Sequence, residues 1–275
     1  MNSSPLPRPQ SSARIGTRRF GRVNWIGTLT LIERECRRFM AVWAQTLLAP
    51  MVTAGLFLLI FSIAIGTRRG DIMGVPYLQF LAPGLLMMSV IQNAFANTSS
   101  SILSAKMQGN IVDTLMPPLS AGELLTGYIL GGIARALMIA LVVGAAMLFV
   151  IGTGLKHPLL VLAFVFLGGA FMGGLGIIAA IYAAKFDQMS VISNFVITPL
   201  AFLSGTFYSI TALPDALEAV TRFNPMFYMI DGVRYGVLGV SDSSPMLGLG
   251  VCSAAAAMVL SLCYIWLRSG YRLKA

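Results

Sequence analysis

The chain has 275 residues, of which 57 % are hydrophobic and only 11 % charged, against roughly 25 % charged in an ordinary soluble domain. That composition leaves too little charge for a water-covered surface, so a soluble globular domain is excluded. The net charge is +9, and 11 of the 19 basic residues fall in the first 43 or last 8 positions. No basic stripe is interleaved with aromatics, which argues against nucleic acid as a partner. The distribution matches a positive-inside bias with both termini in the cytoplasm.

Residues 1–22 are rich in Ser, Pro and Arg with little periodicity and are expected to form a disordered basic cytoplasmic tail. Thr17-Arg18-Arg19-Phe20 has the twin arginines of an export signal but lacks the apolar stretch that must follow. Over residues 23–43, Trp25, Leu29, Ile32, Cys36, Phe39 and Trp43 recur at helical spacing. Glu33, Arg34, Arg37 and Arg38 fall elsewhere on the turn, with Glu33 and Arg37 at the i,i+4 spacing of a stabilising pair. Such a helix is expected to lie in the membrane interface; the alternative is a cytoplasmic helix that touches only protein.

From there the charges vanish for long intervals. None lies between Arg38 and Arg68, Asp71 and Lys106, His157 and Lys185, Asp187 and Asp215, or Asp242 and Arg268. About 20 apolar residues cross ~30 Å of hydrocarbon, so spans are expected near 46–66, 80–104, 159–183, 190–208 and 247–267. Another, 125–151, contains Arg135, which either anchors to headgroups or a partner or belongs to a transport path. The second span is polar, with Gln92, Asn93, Asn97 and four consecutive hydroxyls from Thr98 to Ser101. These groups need partners away from lipid, so they either pack between helices or line an aqueous path. Gly127-x-x-x-Gly131 and Gly169-x-x-x-Gly173 match a close-packing motif, although a chain with 28 glycines produces such matches by chance.

Residues 105–124, holding Lys106, Asp113, Pro117, Pro118 and Glu123, are expected to form a cytoplasmic segment with a short helix ending before Pro117. Residues 209–240 alternate apolar runs with Asp215, Glu218, Arg222, Asp231 and Arg234. Two short helices, Asp215–Phe223 and Phe227–Leu238, split at Asn224-Pro225, are expected there as an outer hairpin dipping into the headgroups. The ordinary alternative is an amphipathic outer loop. The fold class is therefore all-α integral membrane: six transmembrane helices, an N-terminal interfacial helix and a re-entrant outer helical hairpin before the last span.

Several chemistries are disfavoured. No Asp or Glu lies clearly within a span, as a proton-coupled carrier needs. The lone His157 has no ligand or catalytic neighbours at useful spacing, and Cys36, Cys252 and Cys263 read as free thiols. No G-x-x-x-x-G-K-[ST] phosphate loop is present, so any ATP must be hydrolysed by another subunit. These residues alone leave open an ATP-driven permease, an ATP-independent channel or flippase-like protein, and a membrane scaffold.

Specific blocks narrow the choice. The run Gln108-Gly109-Asn110-Ile111-Val112-Asp113-Thr114-Leu115-Met116-Pro117-Pro118-Leu119-Ser120, followed by Glu123-Leu124-Leu125 and Gly127, resembles the cytoplasmic loop of ABC-2 type transport permeases. Leu81-Ala82-Pro83-Gly84, Ser204-Gly205-Thr206-Phe207-Tyr208, Leu213-Pro214, Asn224-Pro225-Met226-Phe227-Tyr228-Met229-Ile230-Asp231-Gly232 and Arg234-Tyr235-Gly236-Val237-Leu238-Gly239 are similar to further blocks of that family. The likeness spans about residues 25–272 and is strongest to small inner-membrane permeases of the YadH type.

The resemblance implies a six-span domain over 44–272 and a homodimer in the bacterial inner membrane. It also implies two copies of a separate ABC ATP-binding subunit that carries ATP and Mg, an exported amphipathic or hydrophobic substrate, and no cofactor on this chain. Gln108, Gly109, Asn110, Ile111, Val112, Asp113, Thr114 and Leu115 would then form the coupling helix, with Glu33, Glu35, Arg37 and Arg38 available to pair with the ATPase. Dimerisation would set the second and fifth spans around a path, with Gln92, Asn93, Asn97 and Ser101 on one and Asn194 and Thr198 on the other.

Overall fold

The computed structural model describes residues 23–64, 70–111 and 118–271. Within them the chain is helical, and six helices are long and apolar enough to cross a membrane. In chain order the helices are α1 (Trp25–Ala41), α2 (Ala44–Ala64), α3 (Tyr77–Met107), α4 (Ala121–Ile151), α5 (Pro158–Tyr182), α6 (Phe186–Leu203), α7 (Asp215–Phe223), α8 (Pro225–Leu238) and α9 (Pro245–Ser269). The expected basic tail 1–22 and the chain end from Arg272 lie outside the described residues.

The spans differ in how much of their surface meets protein. α3 is the centre, mostly buried and packed on α2, α4, α5 and α8. α2, α6 and α9 bury only a minor share and turn side chains such as Val52, Ile63, Phe195 and Met258 outward. Apolar surface of that extent needs lipid tails or another protein surface against it. α2 and α6 each contain a widened π-helical turn, at Ala44–Leu48 and Ser193–Ile197. Each lies just before a proline, Pro50 or Pro199, whose missing N–H interrupts the regular ladder.

Small residues set the closest helix contacts, as expected where lipid supplies no hydrophobic drive between helices. The Gly127/Gly131 pair is one such contact, since both glycines face α1. A Cβ at Gly131 would come within 2.5 Å of the Glu35 Cβ, and one at Gly127 would collide with Leu31. Gly169 and Gly173 do the same for α5 against Ile133, Ala136 and Ile129 of α4. The two motifs that chance alone would have explained are therefore both used.

α1 runs alongside the first turns of α4, in parallel. Asn24 caps α1 through Gly27 N–H, while the Glu123 carboxylate accepts the amides of both Asn24 and Ser120, the latter in a capping box. The two helices thus start together. The buried face of α1 is Thr28, Leu31, Glu35 and Phe39. Of the expected apolar stripe only Phe39 lies in it; Trp25, Leu29 and Trp43 point outward. The outward side of α1 thus carries Trp25, Ile26 and Leu29 together with the charged Glu33 and Arg37, and the side that meets protein is not the expected apolar stripe.

Asp215–Phe223 is helical as expected, and the next helix starts two residues earlier than expected, at Pro225, whose fixed φ suits a first helical turn. Asn224 separates them, accepting from Met226 N–H and donating to Leu200 O and the Ser204 hydroxyl. A valine at Gly131 should push α1 off α4 at a cost of about 1–3 kcal/mol. In thermal unfolding of detergent-purified protein, Gly131→Val should melt several degrees lower. Gly250→Ala, whose Cβ meets open space, should leave the midpoint unchanged.

Candidate functional site

Two polar clusters and one exposed inter-helix segment stand out from the apolar bundle. The first cluster is a seam where α1, α3 and α4 meet. Glu35 is wholly buried. Its carboxylate accepts from Arg34 at 3.2 Å, from Nε and Nη2 of Arg38 at 3.2 and 3.1 Å, and from the Ser101 hydroxyl at 2.7 Å. Arg38 also donates to the Asn97 carbonyl (2.7 Å), the Asn97 side-chain oxygen (2.9 Å) and the Ser100 hydroxyl (3.1 Å). One turn further along α3, Arg135 of α4 donates to Asn93 Oδ1 at 2.8 Å. Arg34 lies against the Tyr128 ring and donates to its hydroxyl.

This geometry relocates several residues expected elsewhere. Asn93, Asn97 and Ser101 do share one face of α3, as their spacing of four requires, but that face is turned onto α1 and α4. Glu35 and Arg38, expected to be available to another subunit, are committed to the seam. Glu33 and Arg37 remain exposed and pair with each other. Arg135 lies four turns into α4, held by Asn93, and not near the helix start.

The neighbouring face of α3 borders an opening beside α6. A cavity of about 190 Å³ there is lined by Phe95, Ala96, Ser99, Ser100, Met189, Ser190 and Ser193. Gln92 is half-buried on the same stripe of α3. On α6, Asn194 is exposed, and Thr198 is half-buried and donates to Ser193 O within its own helix. Ser190 and Ser193 carried no signal beyond a spacing of three, too weak to single out. A larger cleft of about 660 Å³ between α2, α3 and α4 is lined mainly by apolar groups such as Met51, Leu58, Val143 and Met147.

The inter-helix segment leaves α3 at Met107. Gln108 N–H still bonds Ser104 O, and Gly109, at φ +72°, turns the chain through the left-handed region that glycine adopts freely. Gln108, Gly109 and Asn110 are exposed, and Ile111 tucks into the core. Val112, Asp113, Thr114 and Leu115 lie outside the described residues. Just before the turn, Lys106 Nζ donates to the carbonyls of Ala180, Ile181 and Ala183 at 3.0, 2.9 and 2.9 Å. An ammonium over the last carbonyls of α5 satisfies groups that no helix can satisfy for itself.

The second cluster lies at the other end of α3. Arg234 of α8 is fully buried over the Phe80 ring, 3.9 Å from its centroid, and donates to Gly205 O at 2.6 Å. Asp231 lies 3.5 Å and Asp242 4.0 Å from the same guanidinium. Asp231 also accepts the amides of Asp242 and Ser243, both at 2.9 Å, and Asp242 accepts from Ser209. His157 stacks on Tyr235, with ring centroids 5.2 Å apart, and its amide bonds Gly236 O. Among the described residues no group of three or more His, Cys, Asp or Glu could hold a metal ion.

Five apolar helices around the more polar, buried α3, with charge at the two ends apart from Arg135, make a multi-pass membrane fold. The model of the ABC-2 type transporter family matches residues 27–238. The chain is 37 % identical over 251 residues to the inner membrane transport permease YadH of Escherichia coli, covering 91 % of this chain and 98 % of that protein. It is also 27 % identical over 240 residues to nodulation protein J of Rhizobium leguminosarum bv. viciae, covering 84 % of this chain and 88 % of the relative. The chain belongs to the ABC-2 type transporter family.

Burial pushes the Asp231 carboxyl up to about 6, opposed by the amide of Asp242, by Arg234 and by the amide of Ser243. A carboxyl raised on folding keeps its proton in the native state where the unfolded chain has lost it. Its contribution therefore declines as pH rises from about 4 to about 6. Melting followed from pH 4 to 7 should show this decline in the wild type and a flatter profile in Asp231→Asn. Equal slopes would refute the assignment.

Proposed function

We propose that the chain is the permease subunit of an ATP-binding cassette exporter in the bacterial inner membrane, with both termini in the cytoplasm. It works as a homodimer beside two copies of a separate ABC ATP-binding subunit, which holds ATP and Mg; this chain carries no cofactor and is not itself an enzyme. The observation that carries the reading is the family match over 27–238 on a six-span fold. The 37 % identity to a protein named as an inner membrane transport permease supports the location.

Gln108–Leu115 is the segment that meets the ATPase. Its described part is exposed at Gln108–Asn110, and Lys106 ties its base to the end of α5. On α1, Glu33 and Arg37 are the exposed pair that can reach the same partner, while Glu35 and Arg38 keep the helix seated. The path runs between two copies along the α3–α6 side, where Ser99 and Ser100 share an opening with Ser190 and Ser193, and Gln92, Asn194 and Thr198 extend the polar stretch along the two helices. Neutral hydroxyls and amides suit an amphipathic or hydrophobic cargo such as a polysaccharide, glycolipid or lipophilic drug. Residues 209–240 form an outer re-entrant hairpin, and the exposed Trp25 and Trp43 rest α1 in the inner interface.

The tagged chain, purified from its own membranes in mild detergent, should bring down an ABC ATP-binding protein. Reconstituted with that partner, it should support ATP turnover that falls at least about tenfold, or ~1.4 kcal/mol of coupling, in Asp113→Ala. Cargo flux through liposomes containing this chain and no ATPase would replace the reading with an ATP-independent channel or flippase.

A further inference from the structure

Among the described residues, the seam of α1, α3 and α4 holds more positive charge than it neutralises. Two guanidiniums, those of Arg38 and Arg135, approach a short stretch of α3, and the carboxylate beside them is Glu35, which Arg38 shares with Arg34. Glu35 is fully used by Arg34, Arg38 and Ser101. Among the described residues Arg135 bonds the neutral oxygen of Asn93, one turn of α3 from the Asn97 side chain that Arg38 bonds, so two cations sit on adjacent turns. Of the three buried donors without a partner among the described residues, two lie in this seam, Arg135 Nε and Asn97 Nδ2, and the third, Arg234 Nε, lies in the other cluster. Asn97 is itself wholly buried.

A membrane protein meets a strong penalty for an unneutralised cation and for buried donors left without acceptors. Unused donors beside two like charges describe the complement of one group, an anion with several acceptor oxygens. A phosphate has that chemistry, and guanidinium forks match it geometrically. Access comes from the side of Arg38, which is one-third exposed. Its Nη1 holds the Ser100 hydroxyl, which borders the opening beside α6.

We propose that Arg38, Arg135 and Asn97 form a binding site for a phosphate group, supplied by a phospholipid headgroup or as the free anion. Arg135 and Arg38 neutralise the phosphate, Asn97 Nδ2 donates to it, and Asn93 and Glu35 hold the two guanidiniums apart and in place. The site rests on this geometry and not on the transport reading.

The test uses the full-length chain, delipidated in a nonionic detergent, and reads its melting temperature. Dioleoyl phosphatidylglycerol, dioleoylglycerol with the same acyl chains but no phosphate, and inorganic phosphate are added separately. Phosphatidylglycerol should raise the midpoint by roughly 5 °C at saturation, and dioleoylglycerol should not. A matching rise with inorganic phosphate identifies the free anion as sufficient, whereas its absence identifies the lipid as the source. Arg135→Gln should lose the response and Arg268→Gln should keep it.

Because Arg135→Gln also changes packing, Asn97→Asp gives a second reading with the opposite sign. It supplies the missing anion from within, so it should melt higher than wild type without lipid and no longer respond to phosphatidylglycerol. Equal rises from phosphatidylglycerol and dioleoylglycerol, a full response in Arg135→Gln, or a less stable and still responsive Asn97→Asp would each overturn the proposal.

Discussion

Glu35 is a carboxylate with no access to solvent, and its Cβ rests in the notch left by Gly131 on α4. A buried ion of this kind is tolerated only when each of its oxygens is bonded, and here Arg34, Arg38 and Ser101 do so. The arrangement fixes the rotation of α1. Turning the helix by one residue, about 100°, would put Glu35 into lipid and replace it at Gly131 by a side chain that cannot bond Ser101. Sliding it by one residue would break the Leu31–Gly127 and Glu35–Gly131 registers together. Apolar contacts alone would set neither, because Trp25, Ile26 and Leu29 on the outward side of α1 are apolar too. The buried charge acts as a register pin, and its partners follow from that.

α3 carries the counterpart of this pin at its other end. Phe80, under the Arg234 guanidinium, and Ser101, on the Glu35 carboxylate, are separated by about 31 Å of helix. That length is close to the ~30 Å of a hydrocarbon layer. Both charged clusters thus fall where a membrane turns polar, and the stretch of α3 between them is held by small-residue packing such as Gly132, Gly173 and Gly176 around Thr98. Arg135 and Asn93, about 12 Å inward from Ser101, depart from this plan, and the charge excess of the seam is concentrated there.

The spans were legible because absence of charge over 20 or more residues is a strong and local signal. Breaks at proline were legible for the same reason: Asn224-Pro225 divides α7 from α8 where the sequence says it must. Orientation was not. In a soluble helix the apolar stripe is the buried one, but in lipid both sides of a helix can be apolar. Trp25, Leu29 and Trp43 therefore reported that residues 25–43 form a helix and misreported which side meets protein. The protein side is marked instead by Gly127 and Gly131 on the partner helix, a signal carried by another segment. The spacing of Asn93, Asn97 and Ser101 likewise gave a shared face but no direction. That direction depends on Arg38 and Glu35, some 60 residues earlier in the chain, and only tertiary structure brings them there.

The Gln108 end of the bundle ties its helices into two pairs, or units. Lys106 binds the end of α3 to the last carbonyls of α5. Glu123 and Asn24 bind the starts of α1 and α4. The segment beginning at Gln108 leaves from the first unit at Gly109 and returns to the second at Pro118, whose carbonyl accepts from the Asn24 side chain. Under the proposed reading, a force applied to that segment is divided between units that are stiff internally. They meet along the polar seam, where Glu35 touches Ser101 and Arg38 touches Asn97. Packed helices accommodate such a force by small sliding rather than bending. A seam made of multivalent guanidinium bonds, with Asn93, Asn97 and Ser101 one turn apart on α3, can exchange partners during a slide. An apolar seam would have to lose contact before regaining it.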